Sequence, residues 1–167
     1  MKADAAPNFG TIFAKVKSHI DARKYPGLIC KQGFYDGCFV LKLQRATWTN
    51  DSMDNARNRS GVFFSVWIVQ NAAQRNRVNY NIHALKLREL KGYTIASRDF
   101  AADFRRQFAG LRHAWPNEST KYGPQTLMQG WIDVAPGKHE SEIAALMERF
   151  ATLTPMIDHL LETRKTH

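Results

Sequence analysis

The alternation of hydrophobic and polar positions predicts strands in the first half of the chain, the strongest of them over residues 61–70. Val62, Phe64, Val66 and Ile68 form one wholly apolar face of this segment, and its other face is nearly as apolar. A strand that is apolar on both faces lies centrally in a sheet and is covered on both sides. We therefore expect residues 61–70 to be the central strand.

Three weaker patterns predict the strands around it. Residues 39–44 alternate Phe39, Leu41 and Leu43 with Val40, Lys42 and Gln44, which predicts a strand with one wet face after a turn over residues 33–37. Residues 78–87 form the next strand, and their alternation shifts between Ile82 and Leu85, which predicts a bulge or a short helical piece. Residues 126–134 form the last.

Helical spacing of apolar residues predicts three helices. The first spans residues 8–24 with Asn8 as its cap, the second opens at Ser97 as its cap and ends at Trp115, and the third begins near His139. Pro155 either kinks the third helix or starts a further one. The order α-β-β-β-α-β-α predicts an α+β fold, a mixed or antiparallel sheet of four to five strands with helices packed on it.

Length and composition are those of one globular domain, residues 1–167. Hydrophobic residues make up 44% of the chain, and no apolar run is long enough to cross a bilayer. The first residues lack the apolar stretch of a secretory signal. The two cysteines, Cys30 and Cys38, match neither a redox pair nor a zinc knuckle. These features predict a cytoplasmic protein without a membrane partner.

The charge is the unusual property of the composition. Twenty-four lysines and arginines against fifteen acids give +9. Residues 122–167 carry −2 and residues 1–121 carry +11, and residues 55–88 contain no acid at all. Such a field attracts polyanions or acidic protein surfaces, although it also serves solubility.

The basic residues of the acid-free stretch are the candidate contacts for nucleic acid or another polyanion. Amides such as Asn79 and the rings of Phe63, Trp67 and Tyr80 lie between them, as stacking on a single strand requires, although aromatic residues in strands more often belong to the core. Successive loops of an antiparallel meander lie at opposite ends of the sheet, so the cations form one patch only along a face or edge. The candidates are Arg57, Arg59, Arg75, Arg77, Lys86 and Arg88.

A second candidate is the loop over residues 115–124, in which Trp115 and Tyr122 accompany a carboxylate and a cation. A loop of this length can form a pocket rim. The alternative is a rigid, proline-bounded loop whose aromatic residues plug the end of the sheet.

Signals for catalysis are weak. The six histidines show no metal-ligand spacing, and the sequence predicts neither a metal site nor a cofactor. The pattern Glu89-Leu90-Lys91 resembles the Glu-x-Lys element of magnesium-dependent nucleases of the restriction-endonuclease type, in which carboxylates hold the metal. The aspartate that this element needs on the neighbouring strand is missing, since Asp51 and Asp54 lie in a loop. We expect Glu89 and Lys91 to be surface residues.

The run Gln32-Gly33-Phe34, the strand carrying Gln44, the strand from Phe63 to Val69 and Pro155 in the last helix are similar to one family of small bacterial α+β proteins. That family is known only as a domain of unknown function. The resemblance implies an α+β fold and transfers no activity, cofactor or catalytic residue.

The sequence therefore leaves three functions open. The leading hypothesis is a non-catalytic binding domain with a basic face for a polyanion, above all nucleic acid, or for an acidic protein. The second is a metal-dependent nuclease or another phosphate-handling enzyme. The third is a partner-protein or small-ligand module of a bacterial defence or immunity system. The oligomeric state is not indicated.

Overall fold

In a computed structural model, the chain forms one antiparallel sheet with helices packed on it, and the structure describes residues 7–52 and 60–166. The strands follow one another as a meander, β1-β2-β3-β4-β5. This confirms the predicted α+β class and the central position of the third strand. The elements are α1 (Phe9–Arg23), β1 (Leu28–Tyr35), β2 (Cys38–Arg45), β3 (Gly61–Val69), β4 (Arg77–Leu85), α2 (Ser97–Phe108), β5 (Thr126–Asp133), α3 (His139–Ala151) and α4 (Thr154–Glu162).

The first strand is an addition to the predicted order. The turn expected over residues 33–37 is confined to Asp36 and Gly37, whose φ values of 53° and 73° are those of a two-residue hairpin turn. Gly33 therefore lies inside β1 rather than in the turn. The pattern concealed β1 because its apolar residues fall in two groups, at positions 28–30 and 34–35, rather than in alternation.

One face of the sheet carries the helices and the main core. Phe13 of α1 packs its ring against Phe39 of β2, and Phe150 of α3 stacks on Phe64 of β3 with ring centroids 4.9 Å apart. Trp48 packs against Phe64 and donates its indole N–H to Asp158 of α4 at 2.8 Å. These residues are large and almost fully buried apart from Phe39 and Asp158, so this face supplies most of the hydrophobic stabilisation.

The other face, here called the second face, differs from its prediction. Lys42 and Gln44 of β2 belong to it, and they are buried rather than wet. The ring contacts of α1 and α3 fall on the first face, and β3 is nevertheless largely buried on both faces, as its pattern predicts. On the second face β3 presents Phe63 and Ser65, which are buried, and Trp67 and Val69, which are half-buried.

The local features predicted for β4 and for the helix ends agree with the structure at all but one position. The predicted bulge is confirmed, because the register of β4 against β5 shifts between Ile82 and His83. Asn8 caps α1, accepting a hydrogen bond from the Thr11 N–H at 3.0 Å. Pro155 starts a separate helix, α4. Ser97 is the first residue of α2 rather than its cap, which is Ala96.

Within the described ranges, no helix combines the length and the apolar character that crossing a membrane requires.

Candidate functional site

The second face of the sheet carries polar and aromatic side chains in rows that run across the strands. Residues that pair directly across antiparallel strands point to the same face. The register therefore builds a polar row from Lys31, Lys42, Ser65, Asn81 and Gln129, one residue from each strand. Beside it runs a tryptophan row of Trp67, Asn79 and Trp131. On its other side Phe63 pairs with His83.

Hydrogen bonds set the orientation of the polar row at its centre. The Ser65 hydroxyl donates to Asn81 Oδ1 at 2.5 Å, so the Asn81 amide turns its Nδ2 towards His83 Nε2 at 2.9 Å and Gln129 Oε1 at 3.5 Å. His83 Nδ1 lies 3.3 Å from the Gln125 carbonyl oxygen, which favours the tautomer that donates from Nδ1 and accepts at Nε2. Ser65 and Asn81 are buried, so burial and hydrogen bonding together hold this part of the face in one arrangement.

Cations and rings alternate on the same face. Lys42 Nζ lies 3.9 Å from the centre of the Phe63 ring, and the Phe63 ring lies 5.2 Å from that of His83. At the far strand, the Arg77 guanidinium lies 3.9 Å from the centre of the Trp131 ring. Lys31 and Lys42 pair directly across β1 and β2, so two cations lie side by side on this face.

A groove with a volume of about 460 Å³ follows the middle strands of this face. Phe63, Ser65, Trp67, Asn81 and His83 line its length. Tyr35, Asp36, Cys38, Val40, Leu85 and Gln125 complete the lining. Its volume falls in the range of ordinary ligand sites, and its lining combines aromatic residues with a few oriented polar groups, as such sites do.

A basic pocket of about 600 Å³ adjoins the groove at the end of β4. Three cations line it, Lys86, Arg88 and Arg98, together with two acids, Glu89 and Asp99. The first turn of α2 also lines it, and the Ala96 cap offers no side chain to the N–H groups there. Gln125 lines both cavities and is the point at which they meet.

Arg105 positions the segment that carries Gln125. Its guanidinium donates to the carbonyl oxygens of Tyr122, Gly123, Thr126 and Leu127 at 2.9 to 3.2 Å. Burial lowers the pKa of this guanidinium from its ordinary value. Arg105 of α2 thus holds in place the loop that lies between the groove and the basic pocket.

The basic residues predicted from the sequence fall at two ends of the sheet. Lys86 and Arg88 lie in the basic pocket, whereas Arg75 and Arg77 lie at the start of β4. Arg77 is on the second face and also approaches Asp133 at 3.8 Å. Arg75 is held by its backbone, since its carbonyl oxygen lies 2.9 Å from Nε2 of the buried His139. Arg57 and Arg59 lie outside the described residues.

Of three aromatic residues that the sequence suggested as ligand contacts or pocket rim, two are buried in the core and one is exposed. Tyr80 belongs to the first face, fully buried, with its hydroxyl 2.5 Å from the Pro116 carbonyl oxygen, so it cannot stack on a ligand. Trp115 is a core residue rather than a pocket rim, packed against Tyr80 and Phe150. Tyr122 is exposed at the surface. Trp115 therefore packs as the alternative interpretation proposed, whereas Tyr122 does not.

The catalytic candidates remain apart from the groove. Glu89 and Lys91 are exposed in a turn, where their backbone groups bond to the Asn50 side chain at 2.7 and 2.9 Å. In the described part of the chain, no three histidine, cysteine or acidic residues come together as metal ligands would. Burial raises the pKa of the Cys30 thiol to about 12, which keeps it protonated and unreactive.

Sequence reasoning missed the residues at the centre of the site. Ser65 interrupts an otherwise apolar strand, whereas Asn81 is one of the polar residues that alternate along β4, Arg77, Asn79, Asn81 and His83. A polar residue inside a central strand was the available signal, since it is costly there unless it is hydrogen-bonded. Arg98 and Gln125 gave no signal, because only the fold brings them to the end of β4.

Comparison of the chain with protein-family models, with curated proteins and with solved structures finds no match.

Proposed function

We propose that this domain binds single-stranded nucleic acid along the second face of its sheet, with bases in the groove and phosphates in the basic pocket. The observation that carries the proposal is the junction at Gln125, where an aromatic and amide-lined groove opens into a cluster of cations. A nucleotide has the same two-part chemistry, a planar base joined to an anionic phosphate.

The groove suits unstacked bases. Trp67 is half-buried and offers a ring surface, and the oriented Ser65 and Asn81 offer polar groups beside it. Stacking on aromatic side chains contributes about 1–3 kcal/mol per base and tolerates any base. Bases inside a duplex are already stacked and cannot enter such a groove, so the proposal is specific to single strands.

The basic pocket suits phosphate. Lys86, Arg88 and Arg98 surround the first turn of α2, whose N–H groups and dipole favour an anion. Glu89 and Asp99 offset part of this charge, so the pocket carries a net +1. Contacts of this kind position a nucleic acid without reading its sequence.

The test is a titration of fluorescent oligonucleotides at two or more salt concentrations. We expect single strands to bind more tightly than duplexes of the same length, with affinity falling as salt rises. Replacing Lys86 and Arg88 together by alanine removes two phosphate contacts and should flatten the slope of log K against log salt by about 1.4. Ser65→Ala should lower the affinity and leave the slope unchanged, because Ser65 contributes no charge.

Lys15→Ala is the matched control, because Lys15 is an exposed cation of α1, on the opposite side of the sheet. It should leave both affinity and slope unchanged. Absence of binding at low salt, or equal binding of duplexes, would contradict the proposal. A mononucleotide that binds as tightly as a long oligonucleotide would instead support the small-ligand function.

A further inference from the structure

The two edge strands of the sheet, β1 and β5, differ in whether their outward backbone groups are hydrogen-bonded. Along β5 the outward backbone groups are bonded. Arg105 donates to the Leu127 carbonyl oxygen at 3.2 Å, Ser119 exchanges two backbone hydrogen bonds with Gln129 at 2.8 and 3.0 Å, and Asn117 donates to the Trp131 carbonyl oxygen at 3.0 Å. Side chains and a short bridge thus cover this edge, as proteins cover edges that would otherwise pair with other chains.

The β1 edge has no comparable cover. Tyr35 and Cys38 close the two-residue turn and exchange hydrogen bonds with each other, so by alternation Gly33 and Lys31 also bond to β2. Cys30, Gln32 and Phe34 then direct their N–H and C=O groups outwards. Within the described part of the chain, no backbone hydrogen bond reaches these three outward positions.

An apolar anchor lies beside the free edge. The Phe34 side chain, 51% exposed, is the most exposed large hydrophobic residue described, and its ring contacts that of Phe39 at 4.7 Å. A cavity of about 400 Å³ opens there between β1 and α1, and Lys17 and Lys31 line it with the two rings. An extended peptide that added to β1 would place alternate side chains in this cavity.

The charges at the β1 edge indicate that a bound peptide would be acidic. Lys17 already pairs with Asp21 at 2.5 Å, whereas the described contacts give Lys31 no carboxylate. A second copy of this chain would add another +9 to the complex, which disfavours pairing between two copies. An acidic strand would instead complement Lys31 and the overall charge.

We propose that the β1 edge binds an extended acidic-apolar segment of a partner protein by strand addition. Backbone hydrogen bonds to Cys30, Gln32 and Phe34 supply the pairing, the Phe34–Phe39 cavity holds an apolar side chain, and Lys31 holds a carboxylate. This site lies along the outer edge of β1, whereas the groove lies on the second face, and the site does not depend on nucleic-acid binding.

The test uses a fluorescent peptide of alternating glutamate and valine, with about eight residues to match a strand of ordinary length. Gln32→Pro removes one outward N–H while leaving the β1–β2 hydrogen bonds intact, as proline at an edge does. It should weaken binding about tenfold, because one peptide carbonyl loses its donor. Gln32→Ala is the matched control. It keeps the N–H, loses only the bond from the side chain to the Gly10 carbonyl oxygen, and should bind as the wild type does.

Amide hydrogen exchange on the unmodified protein keeps the test independent of how the variants fold. Added peptide should protect the amides of Cys30, Gln32 and Phe34 and leave those of β3 unchanged. Absence of saturation below about 1 mM would overturn the proposal. Equal binding of a lysine–valine peptide, equal loss with both Gln32 variants, or dimerisation of the chain through this edge would also overturn it.

Discussion

At the scale of single residues, the close approach of the Tyr80 ring explains why position 130 is a glycine. Gly130 of β5 pairs with Tyr80 of β4 on the first face. A Cβ atom at Gly130 would lie 2.4 Å from the Tyr80 hydroxyl oxygen and 2.5 Å from its ring. Tyr80 cannot move away, because its ring is fully buried and its hydroxyl bonds to the Pro116 carbonyl oxygen.

Gly130→Ala should therefore destabilise the fold by about 1–3 kcal/mol, the usual cost of overpacking a core. Urea unfolding measures this loss directly. Gly110→Ala is the control, because a Cβ there meets nothing within 4 Å, and it should be neutral or slightly stabilising. Equal stability of the two variants would mean that β4 and β5 separate more easily than the packing implies.

The same scale shows why the site was only partly predictable. Phe63 and Trp67 were expected among the candidate contacts, and the structure places both in the groove. Tyr80 was grouped with them, but strand parity sends it to the opposite face. The sequence of β4 carried this information, because Val78, Tyr80 and Ile82 alternate with Arg77, Asn79 and Asn81, so Tyr80 shares the apolar face of the strand.

At the scale of elements, an ion-pair cluster ties α2 to the end of α4. Asp103 of α2 pairs with Arg164, which follows α4, and with Arg106 at 2.7 Å. The hydrogen bonds from Arg164 and Arg106 lower the pKa of the Asp103 carboxyl below its ordinary value. The charged carboxylate is therefore stabilised in the folded state relative to the unfolded chain.

Stability should consequently depend on Asp103 in one pH window. The contribution is fully present above the unfolded pKa of about 3.9 and is lost as the pH falls through the lower folded pKa. Asp103→Asn should unfold at lower urea concentration than the wild type at pH 7, and the two curves should converge near pH 2. Asp21→Asn, which breaks an exposed pair within α1, should cost only a few tenths of a kcal/mol at pH 7. A constant difference between Asp103→Asn and wild type at all pH values would contradict the assignment.

The elements themselves were largely predictable, because apolar periodicity reports them directly. The pattern located α1, β3, β4 and β5 within a few residues, and the Ile82–His83 bulge appeared as a change of parity. β1 was missed because its apolar residues fall in two groups on either side of Lys31, Gln32 and Gly33, so they do not alternate as in a recognisable strand.

At the scale of the whole molecule, four of the predicted basic residues form two groups at opposite ends of β4. Lys86 and Arg88 follow β4 and Arg75 and Arg77 precede or begin it, so the two groups are separated by the length of that strand. A strand of nine residues spans about 26 Å at about 3.3 Å per residue. The groove and the tryptophan row lie between these ends on the second face. Such separation is expected in a meander, because its successive loops lie at opposite ends of the sheet.

This arrangement predicts that the contribution of Arg75 and Arg77 depends on ligand length. A strand of about twelve nucleotides can run from the basic pocket to these arginines, whereas one of about four occupies the groove alone. Replacing both arginines by alanine should flatten the salt slope by about 1.4 for the long oligonucleotide and leave the short one unchanged. The melting temperature should change little, because the Arg77–Asp133 pair is exposed. Lys165→Ala removes an exposed cation that follows α4, on the helical side, and should leave the slope unchanged at both lengths. Equal flattening for short and long oligonucleotides would show that the arginines act through the overall field of the protein rather than through contact with the far end of the strand.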